Sequence, residues 1–253
     1  MSISFLIKQK AIMLTNIYRY GIIFTKENIM DIVTISNSFT IFGPYTEPIN
    51  NLSELIGIFN GYQVKTFKEK MPDGRELNSY KFSFQNKSVT LRAHRLDIEF
   101  LFSPLTKGKD FLQYVKDVST KLLAINAFQG HRIAFNSVEF VLNEDRGLID
   151  RISGLFSVDS LFGAPAREIS LRLNHVKQIG NEEFNSILSI QDGMVTQNST
   201  GQRTPAIFIN KDINTVAKNT EMRFSLSEYS QYLLSMMLEA EQRTSVILDK
   251  ISG

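Results

Sequence analysis

Residues 62–103 read YQVKTFKEKMPDGRELNSYKFSFQNKSVTLRAHRLDIEFLFS, and this stretch decides the fold. Three runs rich in β-branched and aromatic residues, Tyr62–Glu69, Leu77–Phe84 and Ser88–Ser103, predict three strands. Met71-Pro72-Asp73-Gly74 joins the first two as a turn, because Pro presets φ and Gly accepts φ > 0. Gln85-Asn86-Lys87 makes the second hairpin. Connections this short pair strands antiparallel. A helix should follow over Lys109–Phe128, where Leu112, Val115, Val118, Leu122 and Ile125 step by three or four and Gly130 is placed to stop it.

Working outward, Asp31–Phe42 reads as a strand ended by Gly43-Pro44, and Leu52–Phe59 as a short helix. The order then recurs. Arg132–Asn143 is a strand, Arg146–Phe156 a short helix, and Arg167–Gln178 alternates Ile169, Leu171 and Leu173 with Ser170, Arg172 and Asn174 as a half-buried strand does. Phe184–Gln191, turned by Gln191-Asp192-Gly193, and Thr204–Thr215 complete the strands. The last helix opens on a capping box, Ser225-x-x-Glu228, and runs through Leu226, Tyr229, Leu233, Met236, Met237, Ala240, Ile247 and Ile251. The expected fold is therefore α+β, in two similar halves, 30–130 and 131–253, each an antiparallel sheet with a long helix packed on one face. Residues 1–29 read either as an N-terminal extension or as the first strands.

The chain has 253 residues, 43% hydrophobic and 21% charged, an ordinary globular balance that excludes a fibre or a disordered tail. Lys and Arg number 28 against 26 Asp and Glu, a net charge of +2. Residues 1–130 hold 16 basic and 11 acidic side chains, and residues 131–253 hold 12 and 15, a mild asymmetry. The absence of Cys excludes disulfides, thiolate metal sites and a cysteine nucleophile. Apolar runs such as Ile3–Lys10 and Tyr20–Lys26 are broken by charge well short of the roughly 20 residues a span needs. With no signal-peptide pattern at the N-terminus, a cytoplasmic protein that does not cross a membrane is expected.

The chemistry is sparse. His94, His131 and His175 fall in separate strands or strand edges without the paired spacing of a helical zinc site. Neither Gly-x-Gly-x-x-Gly nor Gly-x-x-x-x-Gly-Lys occurs, so the common phosphate cradles are missing. No cofactor and no metal is expected. The best catalytic candidates are Asp97 and Glu99, which period 2 places with Arg95 on one face of a strand, opposite His94, Leu96, Ile98 and Phe100. Two such carboxylates suit a divalent cation, though Leu101 stands where a metal nuclease would carry Lys; the competing reading is a solvated charged face. Asn143-Glu144-Asp145-Arg146-Gly147 reads as a helix cap. Lys68, Lys70, Arg92 and Arg95, with Lys65, Arg75, Lys81 and Lys87 and the interleaved Tyr62, Tyr80, Phe82 and Phe84, form the candidate nucleic-acid surface. Alternation sends those aromatic rings to the core and the lysines to water, which counts against it.

Ser88–Phe102, Phe111–Phe128, Arg132-Ile133-Ala134-Phe135-Asn136, Phe208-Ile209-Asn210-Lys211-Asp212 and the helix Ser225–Ile251 follow one another in an order that resembles a sporadically distributed family of uncharacterised bacterial proteins. Departures from the family's pattern are Ala134 in place of Gly, Asn136 in place of the second Arg of its basic strand, and Asp212 alone of its acidic pair. The resemblance implies an α+β fold and a bacterial or phage-associated setting, with antiviral defence among the settings, and it transfers no catalytic residue.

The leading expectation is a non-enzymatic binding or assembly module working through a protein partner or as a homo-oligomer. A metal-dependent hydrolase or nuclease on Asp97 and Glu99, and a nucleic-acid-binding protein, are the alternatives. The expected contact surface is the final helix, where Leu234 and Leu238 widen the apolar stripe beyond the roughly 100° needed to cover a sheet and Met237 adds an adaptable side chain.

Overall fold

The computed structural model describes residues 32–45, 52–71, 73–102, 108–123, 128–143, 147–155, 168–196 and 200–252. The alternatives drawn for residues 1–29 lie outside them. In chain order the elements are β1 (Ile32–Phe42), α1 (Leu52–Ile58), β2 (Gln63–Lys70), β3 (Glu76–Phe84), β4 (Lys87–Arg92), β5 (Arg95–Leu101) and α2 (Gly108–Leu123). There follow β6 (Gln129–Gly130), β7 (Arg132–Leu142), α3 (Gly147–Leu155), β8 (Ser170–Ile179), β9 (Glu182–Thr196), β10 (Arg203–Thr215), β11 (Phe224–Ser225) and α4 (Tyr229–Ser252). Nine strands form one sheet in the order β2-β3-β4-β5-β1-β7-β10-β9-β8, antiparallel at every pairing, and β6 with β11 makes a small second pair.

The register explains the core. One straight row of partners crosses the sheet through Val64, Phe82, Val89, Ile98, Phe39, Phe135, Ile213, Ser186 and His175. The six apolar members from Phe82 to Ile213 are buried. Onto this face pack Leu55 and Phe59 at the end of α1, the α2 side chains Phe111, Tyr114, Val115, Val118 and Leu122, and the α4 side chains Leu233, Met236 and Ala240. Ring contacts mark the seams: Phe59 stacks on Phe82 at 4.6 Å, Phe111 tilts on Phe135 at 5.9 Å and Tyr229 on Phe39 at 5.1 Å. α3 adds Leu148, Ile149 and Ile152 against Val141, Ile190, Ile207 and Ile209. Its first turn is capped by Asn143, whose Oδ1 accepts from the Leu148 N–H at 3.0 Å.

The opposite face is largely polar. The neighbouring row runs Lys65, Lys81, Thr90, Asp97, Thr40, Ala134, Asn214, Asn185 and Val176. Asn174, Asn185, Asn214 and Asp212 pass amide hydrogen bonds along β8, β9 and β10. Towards one end this face turns apolar around Ile35, Phe140, Val195 and Ala206. No helix among the described residues is long and apolar enough to cross a membrane.

Four expectations change. The two halves do not each make a sheet of their own, because β1 pairs with β7 and joins all nine strands into one. The run Ser88–Ser103 is two strands, because Ala93 and His94 turn the chain and Arg92 pairs with Arg95. The carbonyls of that turn accept the N–H groups of Gly43 and Tyr45, at 3.0 and 2.8 Å, which ties it to the end of β1. Gly193 does not turn the chain: β9 runs through it, and the missing side chain makes room for the Phe208 ring, 2.8 Å from where a Cβ would stand. β8 is an edge strand with Leu173 and Val176 exposed, less buried than its alternation suggests. Gly74, by contrast, takes the positive φ its turn requires, +86°.

Gly130 is held tighter than any stop signal needs. A Cβ there would meet Ile41 and stand 2.7 Å from the Phe42 carbonyl oxygen. Gly130→Ala should cost about 1–3 kcal/mol, read as a fall of several degrees in Tm. Gly57→Ala, in α1 where a Cβ meets nothing within 4 Å, should hold or raise Tm, because Ala favours the helix.

Candidate functional site

Asp97 and Glu99 project from β5 onto the polar face, as the alternation requires, and cations meet both. Arg95 Nε lies 2.9 Å and Arg92 Nε 3.6 Å from Asp97 Oδ2, while Thr40 Oγ1 donates to Asp97 Oδ1 at 2.8 Å. Glu99 faces Lys81 Nζ at 3.8 Å and accepts from Ser88 Oγ at 3.4 Å. Arg92 also pairs with Glu69 and lies over the Phe67 ring at 5.1 Å. These groups form two neighbouring clusters in which each carboxylate has a partner. Among the described residues no three His, Asp or Glu side chains converge as metal ligands would. His94 sits in the turn beside Arg92 and Arg95; burial, with those two cations nearby, pushes its pKa below the ordinary range.

The four candidate nucleic-acid contacts divide between the two faces. Arg92 and Arg95 pair across β4 and β5 on the polar face. Lys68 and Lys70 alternate with Phe67 and Glu69 on β2, so they point to the helix side at the sheet's outer edge, where Lys68 pairs with Glu76 at 3.2 Å. Tyr80 and Phe82 are in the core and offer no stacking surface. On α4, Met237 is buried, whereas Leu234 and Leu238 are 48% and 51% exposed.

A second constellation lies beneath α4 and escaped the sequence reading. Asn37, Ser137 and Lys211 are lateral partners in one row of the helix-covered face, and Thr34 and Glu139 are partners in the next. Lys211 is 1% exposed. Its Nζ lies 2.5 Å from Glu139 Oε1 and donates to Thr244 Oγ1 of α4 at 2.6 Å, and Thr244 Oγ1 donates to Glu139 Oε2 at 3.0 Å, closing a triangle. Burial pushes the Lys211 ammonium below the usual amine range, against the pull of Glu139 and, more weakly, Glu241. Beside the triangle is a cavity of about 120 Å³ lined by Thr34, Asn37, Ser137, Glu139, Lys211 and Glu241 on its polar side. Phe102, Gly108, Phe135, Met237 and Ala240 complete the lining. Asn37 is 6% exposed and its Oδ1 has no hydrogen-bond partner, an omission that costs about 1–3 kcal/mol when nothing fills it.

One turn along α4, Glu239 forms a separate cluster with Lys177, Ser186 Oγ at 3.0 Å and Arg243 Nε at 2.9 Å. Burial alone would raise its carboxyl, yet the hydrogen bonds from Lys177 and Ser186 and the charge of Arg243 hold it below the ordinary range. The signal for the Lys211 triangle was partly present in the sequence. Ile207, Ile209, Lys211 and Ile213 are consecutive same-face positions of β10, so a lysine occupies a core register, and Glu139 does so on β7. Cross-strand register was needed to see that they meet. Compared with known proteins, the chain matches no protein-family model and no curated protein.

A buried ion pair adds little net stability, but losing one partner is costly. Lys211→Met alone should cost about 3–5 kcal/mol in urea unfolding, because it strands the Glu139 carboxylate. Lys211→Met with Glu139→Leu should recover most of that loss. A double variant as unstable as the single one would show that the two are not coupled.

Proposed function

We propose that the chain is a non-enzymatic binding and assembly module whose contact surface is the outer stripe of α4 and whose first partner is a second copy of itself. The exposure of Leu234 and Leu238 carries this reading: they stand one turn apart facing solvent while Leu233, Met236, Met237 and Ala240 are packed inward. The exposed positions Gln231, Leu234, Leu238, Glu241, Gln242, Ser245 and Val246 run along the helix with a single charge among them. Charge depletion around apolar anchors is the composition of an interface core. A stripe so nearly uncharged does not repel its own copy, and the 24 residues of α4 extend about 36 Å. A hydrolase on Asp97 and Glu99 draws no support from their surroundings, since each carboxylate already has a cation.

The resemblance to the sporadic bacterial family supports a bacterial or phage-associated setting, antiviral defence among them, and that setting rests on the resemblance alone. We also infer that residues 30–130 and 131–253 are two versions of one unit. Supporting this, β1 and β7 are each followed by a short helix, then by strands that return to pair with them through β5 and β10, then by a long helix.

Light scattering of the purified chain should give the mass of a dimer, and Leu234→Glu with Leu238→Glu should reduce it to 28.8 kDa while leaving a cooperative melt. A wild-type monomer, or a double variant that keeps its assembly, overturns self-association through α4.

A further inference from the structure

The cavity under α4 is built differently from a packing defect. Apolar voids of this kind stay dry, whereas a polar one of about 120 Å³ has room for about four waters or for a body of five or six heavy atoms. Its polar wall is one-sided in chemistry. Lys211 and Glu139 neutralise each other within the triangle, and the exposed Glu241 leaves the lining with an excess carboxylate. The remaining deficit is of donors, because the buried Asn37 Oδ1 accepts from nothing. Glu239 has its own cations, Lys177 and Arg243, and does not line the cavity. The other wall presents two aromatic rings, Phe102 and Phe135, and the Met237 thioether, surfaces that favour a cation's flank and a short hydrocarbon chain.

We propose that this cavity binds a small primary ammonium compound, its N–H groups donating to Asn37 Oδ1 and to the Glu241 carboxylate and its short apolar body lying against Phe102, Phe135 and Met237. With the ligand in place, two cations face two carboxylates and the orphan oxygen is satisfied. The site opens at the edge of α4 and shares Glu241 with the outer stripe, but its other lining residues and its test do not involve Leu234 or Leu238.

The test uses the full chain and three probes of similar size, n-butylammonium chloride, n-butanol and sodium butyrate, at matched ionic strength. Calorimetric titration with thermal melting should show saturable binding and a raised Tm with butylammonium, at least threefold weaker binding of butanol and none of butyrate. Glu241→Gln, a substitution at an exposed position that leaves the core intact, should weaken butylammonium at least threefold, and Asn37→Leu tenfold. Should Asn37→Leu fail to fold, Asn37→Asp is the second variant and should bind butylammonium more tightly than wild type. A cavity filled by water alone would give no saturable shift with butylammonium and would overturn the proposal. So would equal binding of all three probes, a preference for butyrate, or affinity untouched by Glu241→Gln.

Discussion

Everything in this molecule hangs on the antiparallel pairing of β1 with β7. Ten register pairs, from Ile32 with Val141 to Phe42 with Arg132, join the first strand to one from the middle of the chain and unite nine strands in one sheet. Phe39 sits at that joint with Ile98 on one side and Phe135 on the other, so a single hydrophobic cluster extends from Phe82 across to Ile213 and Phe224. Both long helices then cover the same face. The opposite face has no such demand for apolar residues, which is why Thr, Ser, Asn and paired charges fill its central rows.

The joint also explains where the polar seam lies. The apolar row gives way at Asn37, next to the register shift between Thr34 and Ser36 and where α4 crosses β7 and β10. Asn37, Ser137 and Lys211 fall side by side there, and Glu139 and Thr244 close the triangle that makes a buried lysine tolerable. Filling those positions with Leu or Ile would give an ordinary core. Their chemistry costs desolvation and leaves one oxygen, Asn37 Oδ1, unmatched. α4 thus carries two polar residues, Glu239 and Thr244, within its otherwise apolar inner side, and three apolar ones, Leu234, Leu238 and Val246, on its outer side.

Much of this was legible in the sequence, and the failures have physical causes. β1, β3, β7 and β10 follow from runs rich in β-branched and aromatic residues, and both long helices from apolar residues stepping by three or four, because burial on one face imposes these patterns. The turn at Ala93-His94 was missed because neither residue is a usual turn former. Its trace is a change of parity: the apolar residues are odd-numbered through Val89 and Leu91 and even-numbered from Leu96 through Phe100. Gly193 misled in the opposite direction, because a glycine that admits a neighbouring ring looks the same in sequence as one that bends the chain. Leu234 and Leu238 could be placed because a helix has one period and a definite outer side. The Lys211 triangle could not, since three of its neighbours come from strands whose register no local pattern sets.

Hydrogen exchange resolved amide by amide tests the central joint most directly. If β1 and β7 fuse the chain into one cooperative unit, amides in β4 and β5 and in β9 and β10 should exchange with the same free energy of opening as those of β1 and β7, set by global unfolding. Two well-separated levels of protection, one for the strands from β2 to β5 and another for those from β7 to β10, would mean that the halves open independently and would contradict the account.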